Sequence, residues 1–451
     1  MCYHILLKGV VAMSVKKWIL PCMLLMGLLL TGCASTVEDM YAPPKRSEAY
    51  NRLQSAIDSA MAGMEYAAPV SGDNRQIVQM ADLDGDGTDE YILFARRSSD
   101  TPLQILVFRQ ETDGNCSLIQ VIQSTGSAFE KVEYVDVDGC PGMEIVVGRQ
   151  VSDQLQRTLS VYSFSSGEAR QLMSAGYYKY LCCDFDDDGS QELMVLRTGE
   201  TDMDNGYAVL YSYQDGEMQR SREAELSRQG TGIKRIMVSS LHGGQKAVFV
   251  ASALEENAIL TDVFALKDGE FTNISYSMDS GTSVQTLRNF YVYGDDLNDD
   301  GAMELPFLIS MKAAMGEDST EQHLIRWYAL DIDGREINKL YTYHNYVGGW
   351  YMELDSRWAP RVSVVQEGTV YTFYLWDETY VSAQVLFTLY CFTGSSRETQ
   401  AVEEGRFPLH SSEMAVYAAT LGAAAMDLEI TEDNLINSFH LIHQDWNTGE
   451  T

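Results

Sequence analysis

Positive charge is scarce in this chain: 32 lysines and arginines stand against 65 aspartates and glutamates, with only 7 histidines. At a net charge of −33, nucleic acid and anionic membrane surfaces are poor partners, because both are repelled by such a surface. Cations, basic proteins and neutral glycans remain. Familiar catalytic signatures are missing as well. The sequence has no GxSxG elbow, no HExxH, no GxxxxGK phosphate loop and no GxGxxG after a strand. No two cysteines have CxxC spacing, which removes the usual zinc and thiol-redox frames. Beyond the first 33 residues, Cys116, Cys140, Cys182, Cys183 and Cys391 form an odd set and read as small, mostly buried hydrophobes. The adjacent pair Cys182-Cys183, at a strand end, must point to opposite faces. Apolar residues nevertheless make up 45% of the chain, enough for a packed fold.

What is present begins with an address. Lys16-Lys17 precede an apolar run from Trp18 to Leu30, too short to span a bilayer comfortably. A basic segment, an apolar run and small residues before a cleavage point form a secretory leader. The following Leu30-Thr31-Gly32-Cys33 resembles the bacterial lipoprotein signal. That resemblance implies cleavage before Cys33, lipidation of Cys33, and attachment to the extracytoplasmic face of a bacterial cell membrane through lipid. The sequence then divides into a leader (1–32), a tether (33–46), a helical segment (47–74), a repeat array (75–392) and a C-terminal helical segment (393–451).

The array announces itself through one acidic loop. Asp82-Leu-Asp84-Gly-Asp86-Gly87-Thr88-Asp-Glu90 runs directly into an apolar strand at Tyr91. The frame returns as Asp184, Asp186, Asp188, Gly189, Ser190 and Glu192, and again as Asp296, Asn298, Asp300, Gly301, Ala302 and Glu304. Oxygen side chains stand at positions 1, 3, 5 and 9, with glycine at position 6 where the chain must turn. Alternating oxygens of this kind suit Ca²⁺, a hard cation that takes six to eight oxygen ligands.

Eroded copies fill the intervals. Asp136, Asp138 and Glu144 keep positions 1, 3 and 9, while Cys140 and Pro141 replace the position-5 carboxylate and the turn glycine. Ser239–Ala247 keeps the frame without the acids, and Glu353–Arg361 forms a sixth candidate. The starts at 82, 136, 184, 239, 296 and 353 are spaced by 54, 48, 55, 57 and 57 residues. Copies without acids are unexplained by metal alone; a structural repeat accounts for all six.

Each repeat carries four apolar stretches. In the first they are Gln76–Met80, Tyr91–Ala95, Leu103–Arg109 and Leu118–Gln123, the last pair split by Asp113-Gly114. Asp215-Gly216 and Asp268-Gly269 mark the matching hairpin in later repeats. Four strands per roughly fifty residues is the content of one β-propeller blade. The expected fold is therefore all-β, a propeller of six blades, or seven if residues 393–411 add strands. Ser47 caps an expected helix carrying Leu53, Ile57, Met61 and Met64, and two more helices are expected over Ser412–Leu421 and Thr431–Leu441.

The loop, repeated in four-stranded units over residues 75–392, resembles the FG-GAP/VCBS repeats of integrin α-subunit-like β-propellers. The Phe-Gly and Gly-Ala-Pro signatures of that family are not visible. The resemblance implies Ca²⁺ held by Asp82, Asp84, Asp86 and Glu90, by Asp184, Asp186, Asp188 and Glu192, and by Asp296, Asn298, Asp300 and Glu304. It also implies a seventh-position backbone carbonyl, from Thr88, Ser190 and Ala302. An EF-hand would need a carboxylate at position 12, where Leu93, Val195 and Phe307 stand. The alternative without metal is a set of Asx-turns.

Elsewhere the signals divide. His440 and His443, with Asp445, have ligand-like spacing, although solvent-facing histidines near a helix end explain it too. Trp327, Trp350, Trp358 and Trp376 concentrate with Tyr341, Tyr343, Tyr346 and Tyr351 in the last repeats. Such a group is either an aromatic face for a sugar or protein ligand, or core packing. The expected function is a surface-anchored, calcium-stapled module that binds an extracellular protein or glycan. The alternative is a secreted polysaccharide lyase or hydrolase on the same fold, since propellers host many chemistries.

Overall fold

A computed structural model describes residues 47–442, apart from 152–156, 200–203, 229–231, 256–257, 290–291 and 314–321. The leader, Cys33, the tether, His443 and Asp445 lie outside the described residues.

Two compact units are distinguished. The first contains the helix Glu48–Ala60 together with the hairpin tip Arg109–Leu118. The side chain of Ser47 accepts the Tyr50 N–H at 3.1 Å and caps the helix, and Arg52 Nη1 donates to the Asp113 carbonyl at 2.9 Å.

The second unit, residues 63–108 and 119 onward, carries the β architecture. Its strands belong to six antiparallel sheets of four or five strands, a multi-bladed, propeller-like arrangement. The second, third and fourth sheets are plain four-stranded meanders in chain order: Ala128–Val135 to Arg170–Tyr177, Lys179–Cys183 to Glu217–Glu225, and Ile233–Ser240 to Glu270–Asn273. Asp-Gly turns do close hairpins. Asp215 and Gly216 take φ of 51° and 91°, and Asp268 and Gly269 take 52° and 79°, the paired positive values of a twist-matched two-residue turn.

Each sheet interleaves its apolar face with the next. Ile92, Phe94 and Ile105 pack with Phe129, Val132 and Val147 between the first and second sheets. Val146 and Val161 meet Leu193 and Val195 between the second and third. Similar clusters join the third to the fourth, the fourth to the fifth and the fifth to the sixth. Cys182 and Cys183 do face opposite ways, one against the cluster on either side of the third sheet, and the described cysteines are free thiols.

The C-terminal segment departs from expectation. Ser412–Leu421 is not a helix: Ala415–Leu421 is a strand, paired with Ala383–Thr393 on one side and Phe407–Ser411 on the other. The sequence Ala-Val-Tyr-Ala-Ala fits either period, but Val416, Ala418 and Ala419 are fully buried, and a sheet edge was there to receive them. Residues 407–411 therefore complete the sixth sheet and do not start a seventh. The second expected helix is shorter than the expected Thr431–Leu441. It covers Glu432–Ser438 behind the Thr431 cap, and Phe439–Leu441 then joins the fifth sheet against Trp350–Met352.

Candidate metal centres

The acidic loops at 82, 136 and 184 sit between the first and second strands of a sheet, the loop at 296 runs into the first strand of its sheet behind the bridge Asp295–Glu304, and they share one hydrogen-bond plan. The position-1 aspartate turns inward to cap the loop: Asp82 accepts from Gly85 at 2.8 Å and Gly87 at 2.9 Å, and Asp296 accepts from Asp300 at 3.1 Å and Gly301 at 2.8 Å. Asp184 does the same for Asp188 and Gly189, both at 3.2 Å. The position-5 carboxylate receives the position-7 N–H: Thr88 on Asp86, Ser190 on Asp188 and Ala302 on Asp300, at 2.8, 2.7 and 3.0 Å. At position 9 a glutamate reaches back to the N–H at position 2. Leu83, Val137, Phe185 and Leu297 donate to Glu90, Glu144, Glu192 and Glu304 at 3.0, 3.0, 2.8 and 2.9 Å.

A second plan connects one loop to the next. The position-8 N–H of Met143 donates to the Asp82 carbonyl at 2.9 Å, and that of Gln191 donates to the Asp136 carbonyl at 2.8 Å. Met303 donates likewise to the Ser240 carbonyl at 2.9 Å. This last bond corrects the fourth copy: Ser240, not Ser239, occupies position 1, and Leu241 takes the buried apolar position held elsewhere by Leu83 and Val137. The copy is one residue shorter, so an acid-based alignment could not fix its start. The Asp184 carbonyl is served instead by Lys246 Nζ at 2.5 Å, which also pairs with Asp187 at 2.7 Å. The first two loops touch closely enough that a Cβ on Gly85, at φ +75°, would stand 2.4 Å from the Pro141 backbone.

Four groups of carboxylates converge to within 4.8 Å of one another: Asp82, Asp84 and Asp86; Asp136, Asp138 and Glu144; Asp184, Asp186 and Glu192; Asp296, Asp300 and Glu304. Oxygens at that separation fit round one cation with Ca–O bonds of about 2.4 Å. Of the expected ligands, Glu90 lies outside the first group, Asp188 caps Ser190 beside the third, and Asn298 accepts the Asp300 N–H at 3.0 Å. The second group was passed over because position 5 is Cys140. Its signal was there in positions 1, 3 and 9, and the fold keeps all three together.

The position-9 glutamates are the most informative residues. Burial pushes Glu144, Glu192 and Glu304 up to about 7, opposed by the N–H each accepts and reinforced by the neighbouring aspartates. Glu304 is 0% exposed; its Oε2 takes the Leu297 N–H, while Oε1 has no hydrogen-bond partner among the described residues. A buried carboxylate oxygen left this way costs several kcal/mol, on the order of a lost charge-assisted bond, unless a cation fills the gap. In the same loop Lys339 Nζ pairs with Asp300 Oδ2 at 2.5 Å and holds that carboxyl below its ordinary range.

The other candidates resolve differently. The aromatic residues of the last repeats are core: Trp327 and Trp350 are fully buried, and Trp358, Trp376, Tyr341, Tyr343 and Tyr351 are buried too, leaving only Tyr346 of that set exposed. They form no aromatic face. His440 stacks on Tyr351 with ring centroids 4.9 Å apart and lies 3.2 Å from Glu353 Oε1, on a strand instead of a helix. The sixth loop turns through the short helix Ala359–Arg361, and its Asp355 is bound to Arg357.

No family model matches the chain, and no curated protein matches it. Among solved structures it is similar to the rhamnogalacturonan lyase YesW, at 12% identity over 71% of this chain and 72% of that one, with a TM-score of 0.31. It is also similar to a putative 6-phosphogluconolactonase from Bacteroides uniformis, at 13% identity over 71% and 94%, with a TM-score of 0.27. TolB from Acinetobacter baumannii matches at 13% identity over 75% and 69%, with a TM-score of 0.25. Likeness this low says nothing about activity, so the function is argued from the loops.

Proposed function

We propose that this protein is a calcium-stapled, propeller-like binding module held at a bacterial cell surface. The observation that carries the metal reading is Glu304, whose carboxylate joins the cluster of Asp296 and Asp300 and whose buried Oε1 meets no donor among the described residues. Ca²⁺ there, and in the first, second and third clusters, would neutralise carboxylates that otherwise repel one another. The second, third and fifth loops are also hydrogen-bonded into the position-1 residue of the loop before, so a cation that stiffens one of them would hold two successive sheets in register. Three converging carboxylates per loop, with the seventh-position carbonyls expected from the resemblance, would suit a staple better than a catalytic centre.

Attachment would be through lipid on Cys33, with an extracellular protein or glycan as ligand and no nucleic acid, in keeping with the net charge of −33. Modules outside the cell bind calcium at roughly 10⁻⁴–10⁻³ M, an affinity for constitutive occupancy. The test is calorimetric titration of the protein with Ca²⁺ alongside melts in Ca²⁺ and in EGTA. Three or four sites and a lower melt on chelation are expected; no heat and no shift would remove the metal. Turnover of a polysaccharide by the calcium-loaded protein would replace the binding role with the enzymatic alternative.

A further inference from the structure

The fourth sheet holds a buried positive charge that no acidic residue answers. Arg235, on the strand Ile233–Ser240, is 7% exposed, and its guanidinium lies 5.7 Å from the Tyr293 ring centroid. Its Nε and Nη1 are both buried without a hydrogen-bond acceptor among the described residues. Close by is Arg288, 4% exposed. It donates from Nε to the Val292 carbonyl at 2.7 Å, and from Nη1 to the Thr286 carbonyl and Thr261 Oγ1, both at 3.1 Å. Its Nη2 has no acceptor.

Arg235, Thr261 and Tyr293 line one cleft, closed by Phe249, Met303 and Leu305; no aspartate or glutamate lines it. The room inside is about 10 Å³ for the centre of a water-sized group, enough for one small occupant. Asp262, next to Thr261 in sequence, is committed elsewhere: it takes Ser227, Asn273 and Ser283 at 2.5, 2.8 and 2.6 Å. Arg235 thus shares a cleft with Thr261, Arg288 bonds the same threonine, and among the described residues neither arginine has a carboxylate partner. A water molecule could accept their N–H groups but could not offset their charge, and an unpaired buried charge is strongly unfavourable.

We infer that Arg235, supported by the field of Arg288, binds one compact monovalent anion, a halide or a carboxylate group, between the fourth and fifth sheets. The site is independent of the calcium reading: its ligands are arginines, and calcium can be held constant throughout its test.

The experiment compares melts in sodium chloride, sodium formate and sodium gluconate at equal ionic strength, for the wild-type protein and Arg235→Met. Chloride or formate should raise the wild-type melting temperature by about 3 °C or more over the bulky gluconate, with the response lost in Arg235→Met. A response to formate alone assigns the occupant as a carboxylate. Equal anion responses in the two proteins, or none in either, overturn the site. Should Arg235→Met fail to fold, wild-type crystals soaked in bromide decide. An anomalous peak at the Arg235 guanidinium supports the site, and its absence rejects it.

Discussion

The first and last parts of the sheet array are joined by different physics. Between the first four sheets the seams combine mixed clusters, in which ring pairs such as Phe94–Phe129 and Phe185–Phe271 sit among aliphatic residues, with loop-to-loop contacts, the Asp82, Asp136 and Asp184 carbonyls each receiving a donor from the next repeat. Between the fifth and sixth sheets the described residues include no such loop bond. There Trp350 packs against Tyr343, Tyr371 and Phe439, and Tyr343 and Phe387 pack against Phe373. Where the acids disappear from the sixth loop, the core becomes aromatic. A sheet-to-sheet seam can be held by mixed apolar packing joined to polar loop-to-loop bonds or by a dense aromatic core, and the described residues show one at each end.

The comparison can be broken most forcefully at Trp350. Trp350→Ala should cost about 3–5 kcal/mol, since a fully buried ring leaves a cavity its neighbours cannot fill. Urea unfolding should give the same loss with Ca²⁺ or with EGTA; a loss that depended on calcium would mean that the two halves share one mechanism. Next in size is Gly85→Ala, about 1–3 kcal/mol, from a left-handed backbone and a collision with Pro141. Its damage should be confined to the first two sheets, read by hydrogen exchange of Ile92 and Val147.

Glu304→Gln keeps an acceptor for the Leu297 N–H but removes the charge. Calorimetry should show one calcium site fewer, worth up to about 2.7 kcal/mol at a hundredfold excess over Kd, and no change at the first cluster. An unaltered site count would take the fifth loop out of the metal scheme.

The smallest effect sits in the aromatic half and depends on pH. Burial lowers His344 from 6.5 to about 3, its Nε2 lying 2.8 Å from Thr342 Oγ1. The unfolded chain therefore binds this proton more readily, so stability is complete above about pH 6.5 and is lost as the pH falls towards 3. In His344→Phe, acid titration of stability should be shallower than wild type over that window. Parallel curves would show that the ring does not titrate on unfolding.

Much of this was legible in the chain. The spacing of the loops gave the repeat, and the strand after each loop was found because alternating and continuous apolar runs need no tertiary context to be recognised. Asp82, Asp184 and Asp296 could be named as site residues because position 1 must cap its own loop, a local demand. The second cluster was harder: with Cys140 at position 5 and Pro141 at position 6 the motif looks broken, yet Asp136, Asp138 and Glu144 still meet. The Ser412–Leu421 segment misled for a related reason. Small and β-branched residues satisfy either a helix or a buried strand, and the open edge at Ala383–Thr393 chose the strand.

The sequence by itself determined the strand class and the oxygen-rich turns, because these depend on residues within nine positions of each other, and the period, because the same turn recurs every 48 to 57 residues. Tertiary structure decided what each acidic loop holds, since the links to the next repeat and the burial of Glu304 arise only when sheets pack. It also decided that the tryptophans are core and not a binding face, and that Arg235 and Arg288 share a wall without a carboxylate. Burial and pairing are properties of neighbours brought together from distant parts of the chain, and no local spacing encodes them.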